Sequence, residues 1–102
     1  MQIDIQAVRF TADQKLKDFI NEKLDKLTKF HHKIISTVVY LKLENSGQVR
    51  DKIVEIKVSI PGSTLVAHAT DKSFEAAVDD ALETLKRQLK KENEKTQSAR
   101  HG

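Results

Sequence analysis

Lys52-Ile53-Val54-Glu55-Ile56-Lys57-Val58-Ser59-Ile60 is the stretch that decides the fold. Val54, Ile56, Val58 and Ile60 recur at every second position, with Ile53, Glu55, Lys57 and Ser59 between them. Successive side chains of an extended chain point to opposite faces, so this period predicts a strand with one apolar face. Pro61-Gly62-Ser63 then supplies a tight turn into residues 64–70, where Leu65, Ala67 and Ala69 continue the apolar row. Upstream, residues 34–43 are rich in β-branched side chains, and Asn45-Ser46-Gly47 provides the turn chemistry that ends them. These three strands are expected to form an antiparallel meander.

Outward from the meander, the pattern changes period on both sides. Residues 2–8 alternate, Ile3, Ile5 and Ala7 against Gln2, Asp4 and Gln6, which predicts a further strand. Leu16, Phe19, Ile20, Leu24, Leu27 and Phe30 recur at helical spacing, so residues 12–30 read as an amphipathic helix, with Thr11 and Gln14 fitting a capping box. Phe74, Ala77, Val78, Ala81, Leu82, Leu85 and Leu89 form a second helical stripe after Asp71, the expected N-cap. Its polar end, from Glu92 on, is expected to fray. The fold class is therefore α+β: a single domain of order β-α-β-β-β-α, a four-stranded sheet with both helices on one face, since each apolar stripe needs cover. The other face would present Tyr40, Lys42, Lys57 and His68 to solvent or to a partner.

The 102 residues suffice for one core and one domain. Charged residues make up 32% of the chain, above the globular norm of about 25%, so the surface is densely ionic. With no cysteine there is neither a disulfide framework nor a thiol nucleophile. The first ten residues carry no basic n-region and no apolar run of spanning length, which points to the cytoplasm and away from a membrane. Gly47, Gly62 and Gly102 form no phosphate loop, and His31, His32, His68 and His101 have no ligand spacing. Asp79 and Asp80 read as solvated acids rather than a catalytic pair. No enzymatic activity, cofactor, metal or small-molecule substrate is expected.

Charge is distributed unevenly. Residues 86–102 carry six Lys/Arg against two acids, whereas residues 1–85 carry 12 against 13. In the second helix the acids Glu75, Asp79, Asp80 and Glu83 precede Lys86, Arg87, Lys90, Lys91 and Lys95, an order that complements the helix dipole, and Glu83 to Arg87 has favourable i,i+4 polarity. That is a sufficient structural reason for the layout. The functional reading is that the same cations neutralise phosphates. On the first helix Lys15, Lys26, Lys29 and Lys33 flank the core stripe, while Lys23 lies closer to it and must snorkel. Side-by-side helices would merge the two basic rows into one patch, and helices on opposite edges would not. Phe10, Phe19, Phe30 and Phe74 are expected in the core, leaving Tyr40 as the one candidate stacking platform; backbone and shape recognition of folded RNA then fits better than reading of single-stranded bases.

Lys23-Leu24-Asp25-Lys26-Leu27, Val39-Tyr40-Leu41-Lys42-Leu43, Ser73-Phe74-Glu75-Ala76-Ala77-Val78-Asp79 and Leu85-Lys86-Arg87-Gln88-Leu89, in this order and spacing, resemble the ribosome hibernation promoting factors over about residues 1–95. The resemblance implies an RNA-binding domain over 1–95 followed by a disordered basic tail over 96–102. It implies a translation inhibitor that occupies the mRNA and tRNA channel of the small (30S) ribosomal subunit in starvation or stationary phase, with the 16S rRNA as partner. Carried over by motif, the RNA contacts are Lys23, Lys26, Arg87 and Lys91, with Lys29, Lys86, Lys90 and Lys95 as additions. Glu75 stands where many relatives have an aromatic residue. The chain looks like a short form without the C-terminal dimerisation domain or the acidic tail of some relatives, so ribosome pairing would need a separate dimerisation factor. A different class remains open: a protein-interaction module that uses the open sheet face, its charges merely solvating.

Overall fold

The computed structural model describes residues 2–30, 33–46 and 49–101; for residues 30, 45, 46, 49, 50, 93 and 95–101 it describes the backbone only. His31, His32 and Gly47 therefore lie outside the described residues, as do the side chains of Phe30 and Lys95 and those of the tail expected over 96–102. The elements run β1 (Gln2–Ala7), α1 (Gln14–Phe30), β2 (Ser36–Ser46), β3 (Val49–Ile60), β4 (Ser63–Asp71) and α2 (Phe74–His101). One four-stranded sheet has the order β1-β2-β3-β4. The meander is antiparallel as expected, and β1 adds to its edge in parallel with β2, Ile5 opposite Val39.

The strand that decides the fold behaves as its alternation requires. Val54, Ile56, Val58 and Ile60 are buried, and the register sets Ile56 between Val39 and Ala67, and Val54 between Leu41 and Ala69. This apolar face meets Leu16, Ile20, Leu24 and Leu27 of α1 and Ala77, Val78, Ala81, Leu82, Leu85 and Leu89 of α2 in one continuous core. Burying such stripes is the dominant favourable term in folding. Because β1 and β4 both run parallel to β2 and each precedes a helix that packs back on the sheet, α1 and α2 lie side by side and point the same way. At the turn joining β3 to β4, Gly62 has a φ of 80°, a conformation natural to a residue without Cβ.

Three local expectations are corrected. The helix after β1 begins at Gln14, and its cap is Asp13, not Thr11: the Leu16 amide donates to Asp13 Oδ1 at 2.8 Å, and the Lys17 amide to the Asp13 carbonyl at 3.1 Å. Ser73, not Asp71, caps α2, its Oγ accepting the Ala76 amide at 3.1 Å. Asp71 is still in the sheet, paired with Lys52, and its carboxylate accepts the adjacent Lys72 amide. Phe10 and Phe74 are half-buried rather than central; they stack with centroids 5.3 Å apart and planes 12° from parallel, closing the end of the core where both helices start.

Candidate nucleic-acid interface

Parallel helices set the C-terminal half of α1 beside the middle of α2, so the cations placed there by sequence meet across the inter-helix seam. Lys23 and Lys26 of α1 and Lys86 of α2 line one groove together with Asp79, Leu82 and Glu83. Lys23 is the half-buried member. Its stem lies along Phe19, with the ammonium 5.4 Å from the ring centroid, and Nζ reaches Asp79 Oδ1 across the seam at 3.5 Å. This is the snorkelling expected of it, with a partner that its own helix could not reveal. At this degree of exposure the ion pair is worth at most about 1 kcal/mol, so its main effect is to fix where the charge sits.

Along α2, residues three and four apart share a flank. Asp79, Glu83, Lys86 and Lys90 therefore form the flank that faces α1, and Lys86 Nζ lies 3.7 Å from Glu83 Oε1. Glu83 thus pairs with Lys86 rather than with Arg87. The Arg87 guanidinium instead donates from Nη2 to Thr84 Oγ1 at 3.4 Å and stays exposed on the crest of the helix. Gln88 points the other way, its Nε2 donating to the Val66 carbonyl of β4 at 3.1 Å, which places Lys91, one turn on, toward the β4 edge. Lys26, Lys29, Lys90 and Lys91 are all exposed. The structure thus brings Lys23, Lys26 and Lys86 together, with Lys90 following Lys86 on the same flank, and sets Arg87 and Lys91 on the crest and far flank.

The groove also contains what the count of cations missed, the acids Asp79 and Glu83. The signal was present, since both sit at helical spacing from Lys86, but only the cross-helix contact shows Asp79 serving Lys23. Neighbouring Asp80 is a different case. Its carboxyl is held above its ordinary value of 3.8, first by a hydrogen bond with the Asp71 carboxyl, then by desolvation and by the negative charges of Asp71 and Asp79. Nothing else in this acid pair resembles a reaction centre, and among the described residues no set of three or more His, Cys, Asp or Glu could hold a metal ion. No helix among them is long and apolar enough to cross a membrane.

Residues 3–97 match the family described as "Sigma 54 modulation protein / S30EA ribosomal protein". The chain belongs to this family. Relatives within it carry the name ribosome hibernation promoting factor: that of Pseudomonas putida is 36% identical over 102 residues, covering all of this chain and 96% of its own length. That of Azotobacter vinelandii is 30% identical over 95 residues, 93% of this chain and 85% of its own. In fold, the chain is similar to a ribosomal subunit interface protein from Coxiella burnetii, with a TM-score of 0.82 at 24% identity, over 91% of this chain and 98% of that one. The β-α-β-β-β-α order and the family expected from the four sequence motifs are those found.

Proposed function

We propose that this chain is a ribosome hibernation factor that lays its inter-helix groove on the RNA of the small ribosomal subunit and occupies the channel used by mRNA and tRNA, so that translation stops. The observation that carries the reading is the convergence of Lys23, Lys26 and Lys86 from two parallel helices on one groove, with Lys29, Arg87 and Lys90 also exposed on these helices. Family membership, and relatives named for ribosome hibernation at 30–36% identity, support the ribosome as partner, which charge alone could not do. A cation-lined groove suits phosphate and shape recognition of folded RNA, and half-buried Tyr40, already covered by the Lys57 ammonium 5.5 Å from its centroid, adds no free stacking platform. Such a protein works in the cytoplasm, on starved or stationary-phase ribosomes, and needs no cofactor. Lys95, carried over from the family motif, is proposed as a further contact.

Co-sedimentation with purified small subunits tests this. The protein should migrate with them at low salt, be released as salt rises, and compete with mRNA and initiator tRNA. Charge reversal by Lys26→Glu, Arg87→Glu and Lys91→Glu together should abolish binding. Free passage of mRNA and tRNA onto saturated subunits would remove channel occupancy from the reading, and failure to sediment at low salt would remove the reading altogether.

A further inference from the structure

A second group of cations lies far from the inter-helix groove, at the end of the sheet where β1 stops and β2 continues. Val8, Arg9, Lys42 and Leu43 line a shallow groove there. No acid lines it, and neither Arg9 nor Lys42 has an ion pair or side-chain hydrogen bond among the described residues. The contrast with the inter-helix groove is chemical: there Lys23 and Lys86 each have a carboxylate beside them, whereas here both positive charges are uncompensated. Val8 and Leu43 are 40% and 45% exposed, two of the few large apolar side chains left at the surface.

Arg9 is also presented in an unusual way. Its φ is 65°, the left-handed region that a side chain with a Cβ seldom enters. The chain is pinned on both sides of it: the Val8 amide donates to the Leu41 carbonyl at 2.9 Å, and Phe10 stacks on Phe74. Between these anchors the backbone must turn, and the residue at the turn is an exposed arginine rather than glycine. A strained, solvent-facing residue with no internal partner is the kind of feature that function, not folding, explains.

We propose that the Val8–Arg9/Lys42–Leu43 groove is a second RNA contact, in which Arg9 and Lys42 hold backbone phosphates and the apolar pair receives the sugar or base face between them. A planar guanidinium pairs with phosphate through two parallel hydrogen bonds, and a lysine nearby adds a point charge. Lys42 lies on the sheet face and beyond the end of β1, while Lys26 and Lys86 lie on the helix face toward the other end. The protein would therefore be gripped by RNA at two separate places. The inference rests on the ribosome-binding reading and extends it to a surface that reading does not use.

The test is a salt series of binding to purified small subunits by the unaltered chain and by the double variant Arg9→Gly, Lys42→Gln. Glycine relieves the left-handed conformation, so the variant should melt no lower than the parent and loss of fold cannot imitate loss of contact. Each phosphate contact contributes about 0.7–0.9 to the slope of log affinity against log salt, so the double variant should bind several-fold more weakly with a slope shallower by between about one and two. Unchanged affinity and slope would overturn the second contact and leave the first standing. Weaker binding with an unchanged slope would put a protein rather than RNA on this groove and overturn the assignment too. If the unaltered chain does not bind, the parent reading falls first.

Discussion

Asp80 shows how a single exposed carboxyl can report on the fold. Its proton is favoured by the Asp71 carboxyl and by the charges of Asp71 and Asp79, so the folded state binds that proton more readily than the unfolded chain does. The stabilisation from this hydrogen bond is present below the ordinary carboxylate value of 3.8 and is lost as pH rises through the higher folded value. Above that folded value two carboxylates face each other with the proton gone. Asp80→Asn removes the repulsion while keeping a donor for Asp71, so it should raise the thermal midpoint at pH above that folded value. That gain should shrink as the pH falls below 3.8. Melting curves across the acid range check it, and a gain that is the same at every pH would mean the pair is not coupled. In the core the effect is steric rather than electrostatic: Leu24 and Leu85 are fully buried from opposite helices, and truncating either to alanine should cost about 2–5 kcal/mol in denaturant unfolding.

At the scale of elements, the corrected helix starts make a sharp prediction. Asp13→Ala and Ser73→Ala each remove the side-chain acceptor of an otherwise orphaned amide and should cost about 1 kcal/mol, a fall of several degrees in thermal midpoint for a chain of this size. Thr11→Ala and Asp71→Ala leave those acceptors in place and should cost less. The reverse order would restore the boundaries read from sequence. Why sequence misplaced them is instructive. Thr11, Asp13, Asp71 and Ser73 are all good caps, and local chemistry cannot choose between two capping residues two positions apart. The choice is made by tertiary contacts, the Phe10–Phe74 stack and the pairing of Asp71 with Lys52. Alternation and helical stripes, by contrast, were readable because each encodes burial directly: all of Val54, Ile56, Val58 and Ile60, and all of Leu82, Leu85 and Leu89, are where their period puts them. The lysines of the inter-helix groove were legible as rows on each helix. Their meeting was not, because it depends on the two helices lying parallel and adjacent, and the same holds for Asp79 reaching Lys23.

For the whole molecule, the two helices run parallel, and their dipoles favour Lys29 in the last turn of α1 but do not reach Lys86, Arg87, Lys90 and Lys91, which lie several turns before the end of α2 at His101. The dipole that sequence offered as a structural reason for the α2 layout therefore does not account for it, and the cations lie along the helix face of a body 53 × 25 × 18 Å. Its radius of gyration of 14.8 Å exceeds the roughly 13 Å usual for a compact chain of about 100 residues. The 28-residue α2 accounts for this, since it would be about 42 Å long at 1.5 Å per residue and, among the described residues, its buried side chains end at Leu89. An elongated body with cations along its helix face fits a groove in RNA better than it fits a flat protein surface, whereas the open sheet face, with Val66 beside Tyr40, Lys57 and His68, is the surface a protein partner would take. Two variants separate the alternatives. Lys26→Gln with Lys86→Gln removes two rim charges and should lower both the affinity for small subunits and its dependence on salt, because counterion release scales with the phosphates neutralised. Val66→Thr with His68→Thr alters the sheet face at exposed positions that favour β structure and should leave both quantities unchanged. If instead the sheet variant loses binding and the lysine variant keeps it with the salt slope intact, the helices' cations serve only solvation, and the contact belongs to the sheet.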